Sequence, residues 1–349
     1  MKTIIKKVNK EHPEADIICQ AGDILKKGGL VAFPTETVYG LGANALDEEA
    51  AMKTYAAKGR PSDNPLIVHI ADMKDLPKIV TEIPEAAKKV AEKYWPGPLT
   101  MIFQKSDIVP HGTTGGLDTV AVRMPDHPIA RDLILAGGGY ISAPSANTSG
   151  RPSPTTAQHV EEDLTGKIDM IVDGGPVDIG VESSILDVTV DPPMILRPGA
   201  ITKEMFESVV GTVAVDHTLI KPDSKEVPKA PGMKYRHYAP KAQLTVVEGD
   251  TDAVVNYINE RTAEHVANGM RAGIIATAET MEQYQAGDIK CIGTRADERT
   301  IAAGLFGVLR EFDSDGVNVI YSEAFQEEGI GSAIMNRLLK AAGHQVIHV

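Results

Sequence analysis

The sequence predicts an α/β protein with a twisted, open mixed sheet in its first part and a smaller parallel-sheet domain after it. Helices and strands mix without strict alternation up to about residue 212, whereas they alternate regularly from residue 243 onward. A segment rich in proline and poor in aliphatic residues separates the two regions. The chain has 349 residues, which is enough for two domains that each bury a core.

The first region begins with a helix followed by a strand. Apolar residues recur at helical spacing over residues 15–27, and Gly28-Gly29 ends that helix before a strand at 30–33. Asp47 is expected to cap a helix that runs through Ala57. The remaining predicted elements are a helix at 83–94 and strands at 66–70, 99–103, 119–123, 168–172, 184–188 and 194–197.

The last region shows the simpler pattern of a Rossmann-like domain, with a helix after each of several strands. Its predicted elements are strands at 244–247, 273–277, 289–292 and 318–320 and helices at 252–267, 300–312 and 332–342. We therefore predict a first domain at residues 1–212, a linker at 213–242 and a C-terminal domain at 243–349.

Composition limits the classes of protein to consider. Charged residues make up 24% and hydrophobic residues 42%, as in ordinary globular proteins. No apolar run approaches the length of a bilayer span, and residues 1–16 lack the apolar core of a secretory signal, so we expect a cytoplasmic protein with no membrane partner. The net charge of −13 argues against a coat of nucleic acid. Cys19 and Cys291 are predicted to be buried or inert thiols.

Cations and polar side chains cluster in the first region. Lys58 and Arg60 follow a predicted helix, with Asn64 and His69 close behind, and this combination suits phosphate or carboxylate groups. Such a pair alone more often solvates a helix end or complements its dipole. Residues 141–153 form a dense run of hydroxyls and amides, which is a good phosphate cradle or, equally, a plain loop.

Arg123 stands on an otherwise apolar strand, where an unpaired charge is costly. We therefore expect it to meet a buried carboxylate, either of the protein or of a substrate. Glu182-Ser183 and Arg197 repeat this pattern of polar groups at strand ends, where open α/β sheets place their ligands.

Three other kinds of site are disfavoured. The sequence has no Walker A motif, which argues against a P-loop ATPase. Residues 40–45 match a GxGxxA pattern, but Thr35 to Tyr39 separate the glycines from the preceding strand. The histidines form no HExxH motif or close Cys/His set, so we predict no metal site made of protein side chains.

The motifs resemble those of a known family. Pro34-Thr35-Glu36-Thr37-Val38-Tyr39-Gly40-Leu41-Gly42, Lys58-Gly59-Arg60 and Ser145-Ala146-Asn147 closely resemble the KxR…SxN signature of the YrdC family. The segment APGMKYRHYAP at 230–240 resembles the linker of the long, two-domain form of that family. The resemblance covers nearly the whole chain and implies a YrdC-like fold for the first domain.

The resemblance also implies an activity. It is the ATP-dependent synthesis of L-threonylcarbamoyladenylate from L-threonine and bicarbonate or CO2, with release of pyrophosphate, and it makes the chain a nucleotidyltransferase. Mg2+ is expected to accompany ATP. The product would pass to a tRNA threonylcarbamoyl-transferase complex, which modifies tRNAs that read ANN codons.

The family motif assigns roles residue by residue. Lys58 and Arg60 are expected to be catalytic, and the linker is expected to close over the site as a lid. The residues expected around ATP are Arg60, Asn64, Thr119, Ser145, Asn147, Ser153, Arg197, and Tyr235 or His237 of the linker. Those expected around threonine are Thr35 or Thr37, His69, Arg123, Ala143 through its backbone, and Ser183. The two threonines lie on the same face of an extended segment, so the sequence leaves that choice open.

Two hypotheses from other classes stay open at this point. One is a module that binds double-stranded RNA or nucleotides without synthase activity, with weak RNA contact as a further partner. The other treats the C-terminal domain as a ligand sensor, because Gly329-Ile330-Gly331-Ser332 opens a helix that could receive an anion.

Overall fold

The structure is a computed structural model that describes residues 2–216 and 237–349. The described chain forms two compact units. Among the described residues, the second unit contains Gly150–Pro152, Ile179–Val181 and residues 237–349, and the first unit contains the rest. Tyr235 and the rest of residues 217–236 of the predicted lid lie outside the described residues, and the predicted domain boundaries stay predictions. In the described part of the chain, no helix is both long and apolar enough to cross a membrane.

A mixed sheet of eleven strands, counted over the described residues, forms the framework of the first unit. Its order is β1-β8-β2-β3-β7-β4-β6-β5-β9-β10-β11, with parallel pairs such as β4 and β6 beside antiparallel pairs such as β6 and β5. This arrangement confirms the predicted open mixed sheet. The strands are β1 (Ile4–Lys7), β2 (Val31–Pro34), β3 (Tyr39–Asn44), β4 (Ile67–His69), β5 (Leu99–Gln104), β6 (Thr119–Arg123), β7 (Ile141–Ser142), β8 (Met170–Asp173), β9 (Ser184–Asp187), β10 (Met194–Arg197) and β11 (Ala214–Val215).

Helices cover this sheet and bury its apolar side chains in three main clusters. Asp47 caps the second helix by accepting a hydrogen bond from the N–H of Glu49 at 2.9 Å, and Gly59 ends it with a φ of 61°. These two signals fix Lys58 in the last turn of that helix. The helices are α1 (Ala15–Lys26), α2 (Glu48–Lys58), α3 (Leu76–Ile79), α4 (Glu85–Tyr94), α5 (His111–Thr114), α6 (Pro128–Ala136), α7 (Ala157–Leu164) and α8 (Lys203–Val210).

The glycines of the GxGxxA pattern lie within strand β3 and do not form a strand-to-helix turn. A Cβ on Gly42 would stand 3.0 Å from the carbonyl oxygen of Val31 and from a ring carbon of Phe33, so the close packing of β2 against β3 requires glycine there. This packing accounts for the motif without a dinucleotide.

Five parallel strands form the sheet of the second unit within the described residues, in the order β14-β13-β15-β12-β16. The predicted alternation of strands and helices is confirmed, and one further strand, β16, follows the last helix. The elements are β12 (Gln243–Glu248), α9 (Thr251–Ala267), β13 (Ala272–Ala276), β14 (Asp288–Cys291), α10 (Glu298–Asp315), β15 (Val319–Glu323), α11 (Gly331–Ala341) and β16 (Val346–His348).

The prediction for the cysteines was wrong with respect to burial. Cys19 and Cys291 are both exposed, free thiols. Cys19 lies on α1 beside the buried residue Ile18, so its side chain belongs to the outer face of that helix. Cys291 ends β14, which is an edge strand of its sheet. The position of each cysteine in the fold, on an outer helix face or at the end of an edge strand, therefore exposes it although cysteine is usually buried.

Candidate active site

Lys58 holds the loop that follows β7. Its side chain is buried, and its Nζ donates hydrogen bonds to the backbone oxygens of Ser145 and Asn147. The Ser145 hydroxyl donates to Oδ1 of Asn147 at 2.6 Å, and the N–H of Ser149 donates to the carbonyl oxygen of Lys58 at 2.8 Å. The structure therefore brings together the lysine, serine and asparagine that the sequence motif pairs over a long separation.

Arg60 is fixed by the segment directly after it. Its Nε donates to the carbonyl oxygen of Asn64 at 3.1 Å, and its Nη2 donates to Oδ1 of Asn64 at 2.6 Å and to the carbonyl oxygen of Pro65 at 3.0 Å. Arg60 and Asn64 are both buried. A guanidinium group held in one direction in this way is suited to planar recognition of phosphate oxygens.

Arg123, at the end of β6, forms a buried ion pair. Its Nη2 lies 2.6 Å from Oε2 of Glu36, and its Nη1 donates to the hydroxyl of Thr37 at 2.8 Å. Both ends of the pair are buried. The expectation that Arg123 meets a buried carboxylate is confirmed, with a carboxylate of the protein.

Thr35 and Thr37 belong to a tight turn between β2 and β3 and not to an extended segment. The Thr35 hydroxyl donates to the carbonyl oxygen of Val38 at 2.7 Å and accepts from the N–H of Thr37 at 3.2 Å. Its one proton is therefore used by the turn. The Thr37 hydroxyl, 2.9 Å from that of Thr35, faces Arg123.

His69 is a buried, uncharged histidine beside this ion pair. It ends β4 and stands opposite Arg123 in the parallel register of β4 and β6. Burial and, secondarily, the charge of Arg123 lower the pKa of His69 to about 3. Its Nδ1 lies 3.1 Å from the carbonyl oxygen of Ile67. At neutral pH, the ring therefore offers a neutral hydrogen-bonding group.

This lowered pKa predicts a pH dependence of stability. An unfolded histidine has a pKa near 6.5, so the unfolded chain binds the proton first as the pH falls, and stability is lost between about pH 6.5 and pH 3. The slope from His69 is about 1.4 kcal/mol per pH unit. Urea unfolding followed through Trp95, the single tryptophan of the chain, reports on the first unit. We expect His69→Gln to reduce the pH dependence of the free energy of unfolding by that slope, whereas the exposed control His348→Gln leaves it unchanged. The same pH dependence in the native protein and both variants would contradict this.

A second group of polar side chains lies on neighbouring strands. The Ser183 hydroxyl lies 2.8 Å from that of Thr100, and Arg197 donates through Nε to the Ser183 carbonyl oxygen at 3.0 Å and through Nη2 to its hydroxyl at 3.2 Å. Thr100 stands directly opposite Arg123 in the antiparallel pair of β5 and β6. The structure thus connects the Arg123 ion pair to Ser183 and Arg197 across four adjacent strands.

Three predicted residues lie at the edges of this arrangement. Thr119 begins β6 and shares a face of that strand with Arg123, four residues and about 13 Å away. Ser153 donates to Oε1 of Glu182 at 2.5 Å. The N–H of Ala143 donates to the carbonyl oxygen of Ile67 at 2.8 Å, so a backbone contact with a ligand would use its own carbonyl oxygen.

His237 belongs to the second unit, where it is buried. Its ring lies 5.6 Å from that of Tyr238, which in turn lies 5.1 Å from the ring of Phe306. Its assignment to the nucleotide stays a prediction, as do the ligand roles of the other site residues.

Sequence reasoning gave no role to three residues that contact predicted site residues. These are Glu36, Thr100 and Glu182, of which only Glu182 was singled out beforehand, as a polar group at a strand end. A signal was present for the two glutamates. Glu36 lies inside the motif that carries the family resemblance, and Glu182 directly precedes Ser183.

The arrangement suits an anionic ligand. Lys58, Arg60, Arg123 and Arg197 are all buried in a chain whose net charge is −13. Guanidinium and ammonium groups that are held in fixed directions are donors suited to phosphate and carboxylate oxygens, so an anion such as a nucleotide is the kind of ligand that this set of residues favours.

Two family models match the chain. One, described as "Telomere recombination", matches residues 23–199, and the other, described as "Threonylcarbamoyl-AMP synthase, C-terminal domain", matches residues 201–343. Among known relatives, the threonylcarbamoyl-AMP synthase of Pyrococcus abyssi is 50% identical over 347 residues, covering 99% of this chain and 100% of the relative. The Bacillus subtilis enzyme of that name is 51% identical over 331 residues, covering 95% and 94%.

A solved structure is similar to this chain over nearly its full length. The crystal structure of P. abyssi Sua5 complexed with L-threonine matches with a TM-score of 0.95 and 49% sequence identity, covering 99% of this chain and 100% of the other. The chain therefore belongs to the threonylcarbamoyl-AMP synthase family of enzymes, in its long form with a YrdC-like first domain and a C-terminal Sua5 domain.

Proposed function

We propose that the chain makes L-threonylcarbamoyladenylate from L-threonine, bicarbonate or CO2, and ATP, with release of pyrophosphate. The observation that carries the proposal is the contact of buried Lys58 with the loop of Ser145 and Asn147, since it assembles the family signature in space. The names of full-length relatives and the L-threonine complex of the P. abyssi protein support it.

The chemistry that this reaction needs is positioning and charge neutralisation. The threonine nitrogen attacks the carbon of CO2 with loss of a proton, or the carbon of bicarbonate with loss of water, and a carbamate forms. A carbamate oxygen then attacks the α-phosphorus of ATP while the bond from that phosphorus to pyrophosphate breaks. No protein nucleophile is required, and buried cations with fixed directions lower the barrier by stabilising charge that moves onto the leaving phosphates. We assign this role to Arg60 and Arg197, while Lys58 holds the loop that presents Ser145 and Asn147 to the nucleotide.

The amino acid is proposed to lie against β4 and β6. Arg123 would bind its carboxylate, and Thr37 is favoured over Thr35 because the Thr35 hydroxyl is used within its own turn. The neutral ring of His69 can share a hydrogen bond with the threonine hydroxyl.

Mg2+ is proposed to enter with the nucleotide. Within the described residues, no group of three or more His, Cys, Asp and Glu side chains is placed to hold a metal ion. The proposal rests on the nucleotide, because phosphate oxygens and water are the ligands that Mg2+ commonly takes. When bound, it would add to the neutralisation of phosphate charge.

The product is a reactive mixed anhydride, which must reach its acceptor before water hydrolyses it. We propose that the acceptor is the adenosine beside the anticodon in tRNAs that read ANN codons, and that a separate threonylcarbamoyl-transferase complex in the cytoplasm carries out that transfer. The reaction of this chain would then be the first step of N6-threonylcarbamoyladenosine formation.

The test is pyrophosphate release from ATP by the purified protein. We expect release that requires both L-threonine and bicarbonate and that is weaker with L-serine, because serine lacks the methyl group of threonine and buries less apolar surface on binding. Release independent of threonine would contradict the substrate assignment. No release, together with RNA binding that weakens steeply with salt, would instead support the RNA-binding alternative.

A further inference from the structure

Glu36 is a buried carboxylate with an unusual set of neighbours. It lies in the turn between β2 and β3, and only 6% of its surface is exposed. Thr35, directly before it, closes that turn with its hydroxyl. Glu36 and its neighbour Thr37 contact two different nitrogens of the Arg123 guanidinium. The turn therefore positions the guanidinium group of Arg123.

The ion pair leaves one buried donor and one buried acceptor unused by the described part of the protein. Nε of Arg123 and Oε1 of Glu36 have almost no accessible surface, and neither has a hydrogen-bond partner among the described residues. Native proteins satisfy nearly all such atoms, so each exception calls for a partner from outside the fold. The partner for Nε must be an acceptor, and the partner for Oε1 must be a donor.

An α-amino acid supplies both an acceptor and a donor in one small molecule. Its carboxylate accepts from a guanidinium, and its nitrogen, one carbon away, donates to a carboxylate. An acid that carries only hydrogens on its α-carbon offers only the first of these groups. The carbamate that threonine forms still carries one N–H, so a contact with Glu36 can persist through the carboxylation step.

We propose that Glu36 binds the α-nitrogen of L-threonine through Oε1 while its Oε2 positions Arg123 for the carboxylate. This inference rests on the proposed function, since it takes threonine to be the substrate. Glu36 would then select amino acids over acids that lack a donor on the α-carbon, and it would direct the nitrogen toward the incoming carboxyl group. The competing explanation is that Glu36 merely balances the buried charge of Arg123.

Calorimetric titration with L-threonine and (R)-3-hydroxybutanoate, which is threonine without its amine, separates these explanations. We expect the native protein to bind threonine about 10- to 100-fold more tightly, as for one hydrogen bond to a charged group. Glu36→Gln should remove most of that preference and raise the KM for threonine, with little change in the KM for ATP. Glu323→Gln is the matched control, because Glu323 is also buried and paired with an arginine, Arg295 at 2.7 Å, but in the second unit.

Several results would overturn the inference. Equal affinities of the native protein for the two ligands would do so without any variant, even if Glu36→Gln fails to fold by Trp95 fluorescence. An unchanged preference in a folded Glu36→Gln protein would also do so. In both cases threonine-dependent pyrophosphate release by the native protein would leave the proposed function standing, whereas its absence would remove the proposed function itself.

Discussion

Replacing Lys58 with alanine is expected to lower kcat for pyrophosphate release by about 10²- to 10³-fold. The buried ammonium fixes the backbone oxygens of Ser145 and Asn147, and small displacements of positioning groups have effects of that size. The two oxygens also lose a charged partner, which costs about 1–3 kcal/mol of the free energy of unfolding. Initial rates at saturating ATP and threonine, with urea unfolding followed through Trp95, measure both effects.

Lys53→Ala provides the matched control for this experiment. Lys53 lies on the same helix, is exposed, and donates to the carbonyl oxygen of Gly28. We expect its rate to stay within about twofold of the native value, since surface substitutions away from a site have small effects. If Lys58→Ala and Lys53→Ala had similar rates, the loop would not depend on the Lys58 ammonium.

Arg123→Met is expected to have the largest effect on stability. It leaves Glu36 as a buried charge without its cation, which typically costs about 3–5 kcal/mol. Affinity for L-threonine should also fall at least about 100-fold, because the carboxylate loses its guanidinium. Urea unfolding through Trp95 and calorimetric titration measure these losses, and Arg131→Met, on the exposed face of α6, serves as the control.

The double variant Arg123→Met with Glu36→Gln separates the two losses. Removing the orphaned charge should recover roughly 1–3 kcal/mol of stability, because the two residues are in contact and their effects are coupled. Threonine binding should not recover. If the double variant were as unstable as the sum of the single variants, the ion pair would not be the reason for the loss.

Local sequence patterns were sufficient to predict a strand or helix that carries its own start and stop signals. Strands β6 and β10 were predicted with the bounds that they have, and the helix capped by Asp47 differs from its prediction by one residue at its end. Strand β3 was missed because two glycines give it a low strand propensity, and the packing of β2 against it overrides that preference. The short strands β1 and β7 exist through pairing with distant strands, which no local pattern records.

The site was predictable as a set of residue types but not as a set of partners. The lysine, arginine, serine and asparagine of the motif could be named from the sequence because their spacing is characteristic of a family. The pairing of Arg123 with Glu36 was only half predicted, since burial of a charge requires a counter-charge without saying which one. The choice between Thr35 and Thr37 depends on hydrogen bonds within a turn, and only the folded backbone shows them.

The pairing of β1 with β8 has a consequence for the order in which the chain folds. Ile4 pairs with Met170, so during synthesis β1 has no partner strand until much of the first unit has been made. Loop closure over such a distance is slow, and it leaves the edges of β1 and β2 exposed meanwhile. We expect nascent chains that end before residue 170 to be aggregation-prone and to depend on chaperones. In the second unit, by contrast, β12 pairs with β15 and β16, and all three strands lie in the last part of the chain.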